Sequence, residues 1–301
     1  MSLSPFRRLP LHLALAIALC LAARPAARAA AFPPLTSPAV DTTKPGKLVW
    51  ADLFTTEPDK ASLFYRGLLG WTAEAIDQKG RSYVIFRNGT VPVAGLSVRS
   101  VKGPGHPSRW IGYLSVNDVA ATLELAAKDG ALVRAPLRAF PDRGTQAIVT
   151  DHDQIPVGLI HSSSGDSADS EPKVGTWNWF ELYVKDPRAT ADSYHAVFGY
   201  TASVESGADK ASEFILSSAG EARGGIAPLP SGEPASASWL GVIRVADLDK
   251  TLARVPGLGG EVLLPPRDSE QGSRFAIILD STGGTLGLVE YVDNTNPATH
   301  R

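Results

Sequence analysis

Cysteine is almost absent from this sequence, with one residue, Cys20, among 301. A single cysteine forms no internal disulfide, and it excludes Cys-rich zinc sites and paired redox thiols. The chain also lacks an excess of either charge, because 29 Lys and Arg residues stand against 31 Asp and Glu residues, a formal net charge of −2. So small a net charge gives no electrostatic reason to expect a nucleic-acid partner.

The sequence also lacks an apolar segment long enough to span a bilayer as a helix, which takes about 20 residues. A shorter apolar run covers residues 9–23, and residues 1–31 hold four arginines and no acid. A basic start, a short apolar core and an A-x-A ending predict a Sec signal peptide over residues 1–31, cleaved among Ala29 to Ala31. We therefore expect a protein without a membrane span that is exported to the periplasm or the extracellular space.

Cys20 lies inside this predicted signal peptide. Cleavage would leave a mature chain with no cysteine, and loss of the four arginines would change the net charge from −2 to −6. The alternative is a lipoprotein anchored at Cys20, although Leu19 stands where a small residue usually precedes a lipidated cysteine.

A repeat with a constant offset of 129 residues organises the rest of the chain. The segment Trp50-Ala-Asp52-Leu53 matches Trp179-Phe-Glu181-Leu182 at this offset. Because a register held over so many positions indicates an internal duplication, we predict two homologous domains. Further matches at the same offset are Trp110 with Trp239, Gly70 with Gly199, Asp151 with Asp280, and Gly158 with Gly287.

The duplication sets the domain boundaries. We place domain 1 at residues 46–161 and domain 2 at residues 174–293. The polar segment 162–173 between them has no apolar residue except Ala168 and is typical of a surface linker. Residues 32–45 and 294–301 are predicted to be disordered tails.

Each domain contains the pattern of a strand, a helix and three short strands, written twice. In domain 1 the first strand covers residues 48–54, and a helix begins near Pro58 and stops at Gly70, a usual helix end. The Asn88-Gly89 pair predicts a hairpin turn. The remaining elements are expected as strands over 71–76, 82–87, 93–98 and 109–116, a helix over 118–128, and strands over 131–135, 145–150 and 157–161.

This pattern resembles the glyoxalase/bleomycin-resistance/extradiol-dioxygenase superfamily, also called vicinal oxygen chelate proteins. The resemblance implies an α+β fold with two tandem glyoxalase-like domains. Each domain would be a pair of βαβββ units forming a curled mixed sheet with helices on the convex face and a ligand pocket on the concave face. The residues that carry the resemblance are Trp50-Ala-Asp-Leu-Phe-Thr-Thr-Glu-Pro-Asp, Leu69-Gly70-Trp71, Trp179-Phe-Glu-Leu-Tyr-Val-Lys-Asp-Pro and Phe198-Gly199-Tyr200.

The resemblance also implies a place for a divalent metal, which family members often hold with His and Glu or Gln. Side chains of Trp, Ile and Leu, and glycine, offer no lone pair to such a metal. We therefore expect no metal at the family site, while a divalent metal at a non-standard site stays an alternative. The family ligand positions fall on Trp50, Ile111 and Gly158 in domain 1 and on Trp179, Leu240 and Gly287 in domain 2, with a fourth strand position near Gly95 and Gly225.

Strand alternation defines the candidate ligand face, because side chains two residues apart share a face. Asp52 and Glu181 then lie on the pocket side, each as one acid among aromatic rings. Such a pocket suits a small, partly apolar ligand with a polar or cationic group. By the same alternation, Trp110 and Trp239 belong to the helix-covered core. The candidate ligand-binding residues are Trp50, Phe54, Tyr113, Trp179, Tyr183 and Arg244.

Three functions fit these observations. The first is a metal-free exported protein that binds a small organic molecule in one or both pockets. The second is a lyase, isomerase or dioxygenase-like enzyme, related to lactoylglutathione lyase, with Asp52 or Glu181 as general base. The third is a non-catalytic interaction module of the envelope whose pockets are filled by side chains. Purely structural roles stay open for both acids, since Glu181 would pair with Arg244 and Asp52 with backbone amides.

Overall fold

The computed structural model describes residues 32–77, 82–99, 107–204, 213–229, 237–269 and 272–291. The predicted signal peptide with Cys20 and the predicted tail at 294–301 lie outside the described residues. Within these ranges, no helix has both the length and the apolar character needed to cross a bilayer.

Domain 1 follows the predicted order of elements, with the bounds moved by one or two residues at several ends and the strand predicted over 131–135 continuing to Phe140. Its described elements are β1 (Leu48–Thr55), α1 (Pro58–Leu69), β2 (Thr72–Asp77), β3 (Ser82–Asn88), β4 (Val91–Val98), β5 (Arg109–Ser115), α2 (Val119–Lys128), β6 (Leu132–Phe140), β7 (Gly144–Thr150) and β8 (Pro156–Ser162).

Domain 2 repeats the same order. Its described elements are β9 (Trp177–Val184), α3 (Pro187–Phe198), β10 (Thr201–Val204), β11 (Phe214–Ser218), β12 (Glu221–Pro228), β13 (Ser238–Arg244), α4 (Leu248–Arg254), β14 (Glu261–Asp268), β15 (Ser273–Leu279) and β16 (Thr285–Tyr291), with a short 3-10 turn after α4.

Local sequence explains where the helices begin and end. Pro58 occupies the first turn of α1, where its missing N–H costs nothing, and Gly70 ends the helix in the left-handed conformation at φ 70°. In α3, the Asp186 side chain accepts a hydrogen bond from the Ala189 amide at 3.0 Å, and Gly199 ends the helix at φ 75°. The stop signals predicted at Gly70 and Gly199 are therefore confirmed.

Each domain forms one eight-stranded mixed sheet, in the order β2-β3-β4-β1-β5-β8-β7-β6 and its repeat β10-β11-β12-β9-β13-β16-β15-β14. In domain 1, Asp52 on β1 lies opposite Gly95 on parallel β4 and Ile111 on antiparallel β5. In domain 2, Glu181 has Gly225 and Leu240 as its partners. The two βαβββ units of each domain thus meet at a central strand pair, which confirms the predicted α+β architecture.

The helix-covered faces of both sheets share one hydrophobic core. It contains Trp110 of domain 1 together with Trp239 of domain 2, as alternation predicts. The ring of Trp177 joins them, at 5.1 Å from the ring of Trp110 and 6.1 Å from that of Trp239. Helix α1 packs against α4 and α2 packs against α3. The two domains therefore fold around a common interior.

Two buried tyrosine–aspartate contacts cross this interface. The Tyr65 hydroxyl donates to Asp280 Oδ2 at 2.6 Å, and the Tyr194 hydroxyl donates to Asp151 Oδ2 at 3.1 Å. The two tyrosines are 129 residues apart, and so are the two aspartates. The contact is reciprocal, as in a two-fold symmetric dimer, so the duplication has reproduced a dimer-like interface within one chain.

The segment over residues 32–45 is not the disordered tail that the sequence predicts. Its Val40 amide donates to the Ser164 carbonyl at 2.9 Å, and Lys44 Nζ lies 2.7 Å from Asp169 Oδ2. Residues 162–173, predicted as a linker without apolar anchors, contact this segment through polar groups. Asp166 is buried, and one of its oxygens accepts from the Lys44 amide at 2.6 Å.

Candidate functional site

The concave face of domain 1 centres on the carboxylate of Asp52, which is 5% exposed. Trp50 Nε1 donates to Asp52 Oδ1 at 2.8 Å, the Tyr83 hydroxyl donates to the same oxygen, and the Tyr113 hydroxyl donates to Oδ2 at 3.1 Å. Burial raises the pKa of Asp52, whereas these donors and the nearby Arg143 oppose that rise. Both oxygens are engaged by side chains, an arrangement typical of a structural acid.

The two tyrosines of this network stay protonated. Burial and the adjacent Asp52 raise the pKa of Tyr83 and of Tyr113 well above 10. Each hydroxyl is therefore fixed as a hydrogen-bond donor to the carboxylate across the accessible pH range.

The side chains of domain 1 itself cover this face. The guanidinium of Arg143 lies 4.0 Å from the centre of the Trp50 ring. The ring of Phe32, from the segment before β1, packs edge-on against Tyr83 at 4.8 Å and against Phe140 at 4.9 Å. Domain 1 therefore has a closed concave face, with Leu35 packed at the edge of the same apolar cluster.

The concave face of domain 2 keeps the acid and its tryptophan but is more open. Trp179 Nε1 donates to Glu181 Oε2 at 2.9 Å, the counterpart of the Trp50–Asp52 bond. Trp179, Glu181 and Tyr183 are all half-buried, whereas Trp50 and Asp52 are buried. Burial together with the neighbouring Glu181 and Glu213 raises the pKa of Tyr183 to about 12.

The difference between the two faces follows from a few replacements in the repeat. Residues that close domain 1 are replaced in domain 2 by smaller or acidic ones, so the two tyrosines that donate to Asp52 have no tyrosine at their counterpart positions in domain 2. Ile85 pairs with Gly95, and Ile215 pairs with the equivalent Gly225. Tyr83, two residues before Ile85, therefore corresponds to Glu213, two residues before Ile215. The replacements are Tyr83 by Glu213, Tyr113 by Val242 and Arg143 by Gly272.

The other predicted ligand-binding residues lie in different surroundings. Tyr113 joins the Asp52 network, and Phe54 is half-buried two residues along the same strand. Arg244 forms an ion pair with Glu171, donates to the Pro172 carbonyl at 2.8 Å and stacks over the Tyr291 ring at 5.0 Å. Its described partners therefore belong to the interdomain segment and the last strand, and the ion pair with Glu181 that the sequence suggested is not among them.

Three residues that shape domain 1 escaped the sequence analysis. Tyr83 lies on β3, which was predicted as a strand without a function for its side chains. Arg143 lies in the turn between β6 and β7, and Phe32 lies in the segment taken for a disordered tail. Only Tyr83 carried a usable signal, because it alternates with Ile85 along β3, which pairs with β4, the neighbour of the Asp52 strand.

The residues at the family ligand positions of either concave face offer no donor to a metal. A Cβ on Gly95 would overlap Asp52 Oδ1, and a Cβ on Gly225 would overlap Glu181 Oε2. At Gly158, a Cβ would overlap the ring of Tyr113. The space that a ligand side chain would need at these positions is thus filled by a carboxylate or a ring. Within the part of the chain that the structure describes, no three His, Cys, Asp or Glu side chains converge as a metal requires.

A separate groove of about 490 Å³ lies between the domains, beside the end of α1 and the start of α4. Its polar lining includes Asp247 and Lys250, which pair with each other at 2.6 Å. This groove lies on the helix side of the molecule and contains none of the candidate acids, so the concave faces remain the candidate functional site.

Comparison with known proteins gives matches along both domains. The model of the Glyoxalase/Bleomycin resistance protein/Dioxygenase superfamily matches residues 47–159 and 176–287. The "Putative glyoxylase CFP32" of Mycobacterium tuberculosis (strain CDC 1551 / Oshkosh) is 29% identical over 245 residues, covering 80% of this chain and 93% of that protein. The "Anthracycline biosynthesis protein DauV" of Streptomyces sp. (strain C5) is 25% identical over 260 residues, covering 82% and 94%.

Solved structures agree on the fold. The Mn(II)-bound glyoxalase from Novosphingobium aromaticivorans superposes with a TM-score of 0.58 at 14% identity, covering 86% of each chain. Homoprotocatechuate 2,3-dioxygenase from Brevibacterium fuscum gives a TM-score of 0.56 at 12% identity, covering 85% of this chain and 83% of the dioxygenase. At such identities the likeness concerns architecture alone, which supports many chemistries.

Proposed function

Because this chain belongs to the Glyoxalase/Bleomycin resistance protein/Dioxygenase superfamily, we propose that it binds a small organic molecule on the concave face of domain 2, and that it does so without the metal of the family. The observation that carries this proposal is the contrast between the two acids. Asp52 is sealed under its own domain, whereas Glu181 is half-buried beside Trp179 and Tyr183.

The chemistry of the face indicates the class of ligand. The indole N–H of Trp179 holds one oxygen of Glu181 at 2.9 Å, so the carboxylate has a set orientation. A carboxylate among aromatic rings complements a cation or a hydrogen-bond donor carried on an apolar or aromatic group. An arylalkylamine satisfies both requirements, since its ammonium would pair with Glu181 and its ring would pack on Trp179 or Tyr183.

A second candidate is catalysis in which Glu181 acts as the general base and abstracts a proton from the bound molecule. The half-buried position of Glu181 beside Trp179 and Tyr183 supports it, because an acid in such an aromatic setting suits a general base. Asp52 is a poor candidate for the same role, since its oxygens already accept three hydrogen bonds.

Export to the periplasm or beyond belongs to the same proposal. It rests on the basic, apolar and Ala-rich sequence of residues 1–31, with the lipid anchor at Cys20 as the alternative. N-terminal sequencing of the mature protein distinguishes the two, because Sec cleavage gives a start near Ala30 and lipidation gives a blocked start at Cys20.

Calorimetric titration with phenethylamine, an arylalkylamine, tests the binding proposal. The protein is first treated with EDTA and dialysed, and wild type is compared with Glu181→Gln and with the matched domain 1 variant Asp52→Asn. We expect saturable binding by wild type and Asp52→Asn, and binding at least about tenfold weaker in Glu181→Gln, the ~1.4 kcal/mol of one charge-assisted hydrogen bond. Equal weakening in both variants, or binding only after metal is restored, would contradict the proposal.

A further inference from the structure

Arg143 of domain 1 has a buried guanidinium that its own domain leaves unsatisfied. The residue is 2% exposed, and its guanidinium lies over the Trp50 ring at 4.0 Å. Among the described residues, neither Nε nor Nη2 has a hydrogen-bond acceptor, although both atoms are buried. A buried donor without a partner is costly, so a matching acceptor would be strongly favoured here.

The two unsatisfied nitrogens define the shape of that acceptor. The hydrogens on Nε and Nη2 of an arginine point in the same direction and form the fork that grips a carboxylate with two parallel bonds. Asp52 is a nearby acid, but its oxygens accept from Trp50, Tyr83 and Tyr113. The fork of Arg143 is therefore suited to a carboxylate that the described chain does not supply.

The ring of Phe32 lies next to this fork. It is 5.6 Å from the Arg143 guanidinium and packs edge-on against Tyr83 and Phe140. The Phe32 ring thus occupies an aromatic slot beside the two unpaired guanidinium nitrogens of Arg143. A small molecule with a ring and a carboxylate would reproduce the ring contacts and add the two missing hydrogen bonds.

The attachment of Phe32 allows such an exchange. We call residues 32–35 the strap. Immediately after the strap, the Thr36 amide donates to Ser164 Oγ at 3.1 Å, and the Val40 amide donates to the Ser164 carbonyl at 2.9 Å. These bonds hold the chain in place when the strap lifts, so release of Phe32 requires no rearrangement of β1 or of the sheet.

We propose that the concave face of domain 1 is a second binding site, specific for small aromatic carboxylic acids, in which the carboxylate binds Arg143 Nε and Nη2 and the ring replaces that of Phe32. The site differs in charge preference from the face of domain 2, where Glu181 is the acid and Gly272 stands at the position of Arg143. One chain would then hold an anion-selective and a cation-selective pocket, derived from one duplicated domain.

Titration with benzoate, and with methyl benzoate as the ester that lacks the carboxylate, tests this proposal. We expect saturable benzoate binding by wild type and none by the ester. Phe32→Ala should bind benzoate about tenfold more tightly, because the strap no longer competes for the ring slot. Arg143→Lys keeps the charge and loses the fork, so it should bind benzoate at least about tenfold more weakly.

Circular dichroism and the melting temperature of each variant establish that it is folded. Phe32→Ala provides a second route to the answer, since it removes the competitor and leaves Arg143 intact. Equal binding of benzoate and its ester, unchanged affinity in Arg143→Lys, or no gain in Phe32→Ala would each overturn the proposal. Phenethylamine binding should be the same in Arg143→Lys as in wild type, so the proposals for the two sites are tested independently.

Discussion

The buried carboxyl of Asp151, at the interface between the domains, makes the stability of the protein depend on pH. Asp151 is 6% exposed, accepts from the Ile155 amide at 2.8 Å and accepts from the Tyr194 hydroxyl at 3.1 Å. Burial raises its pKa from 3.8 to about 6. The folded chain therefore holds this proton more tightly than the unfolded chain, and the associated stability is complete below pH 4 and is lost as the pH rises through 6.

The size of the effect follows from the shift. A difference of about two pKa units corresponds to about 3 kcal/mol between the two protonation states. Asp151→Asn removes the ionisation and keeps an oxygen for the Ile155 amide. Relative to wild type, we expect the free energy of unfolding of Asp151→Asn to rise by about 3 kcal/mol between pH 4 and pH 8.

Urea unfolding of wild type and variant at both pH values measures this difference. Glu124→Gln, which alters an exposed carboxyl on α2 of the same domain, serves as the control and should follow the wild-type pH dependence. If Asp151→Asn also follows the wild-type curve, burial of Asp151 does not raise its pKa and the reasoning is refuted.

Three further predictions concern other parts of the molecule. Gly225→Ala places a methyl group in the space of the Glu181 carboxylate and should weaken phenethylamine binding by about tenfold or more without unfolding domain 2, as calorimetry and circular dichroism will show. Tyr65→Phe removes the bond to Asp280 across the interface and should lower the free energy of unfolding by about 1–3 kcal/mol in urea titrations. Arg223 and two lysines lower the pKa of Asp169, so the stabilisation from these ion pairs should be lost as acid protonates the carboxylate. The melting temperature of Asp169→Asn should therefore depend less on pH in the acid range than that of wild type.

The sequence predicts much of the fold because the signals are local or repeated. The offset of 129 residues revealed the duplication, and Gly70 and Gly199 end helices because their left-handed conformation suits glycine. Alternation along β1 correctly paired Trp50 with Asp52, which share a hydrogen bond. Period-two patterns report which face a side chain occupies, and both acids of the candidate site were found in this way.

The remainder of the site depends on contacts between distant parts of the chain. Arg143 comes from a turn 91 positions after Asp52, and Phe32 comes from a stretch rich in Pro and Thr that has no periodicity. Nothing in the local sequence shows that either residue closes the face of domain 1. The contact of the linker residue Asp166 with the Lys44 amide is equally invisible in the local sequence, because the two residues are far apart in the chain.

The interface between the domains shows an intermediate case. The equivalence of Asp151 and Asp280 in the repeat was visible in the sequence, but nothing in the sequence indicated their tyrosine partners across the interface. A reciprocal contact between repeats becomes apparent only when both domains are seen together. Residues paired by a duplication offset and buried in both copies are therefore good candidates for such an interface.

Native mass spectrometry of the protein, purified from the cells that produce it, tests the central claim most directly. The account predicts a population whose excess mass corresponds to a small organic molecule and not to a metal, and this population should be lost in Glu181→Gln and kept in Asp52→Asn. A stoichiometric, tightly bound transition metal in the wild-type protein would contradict it.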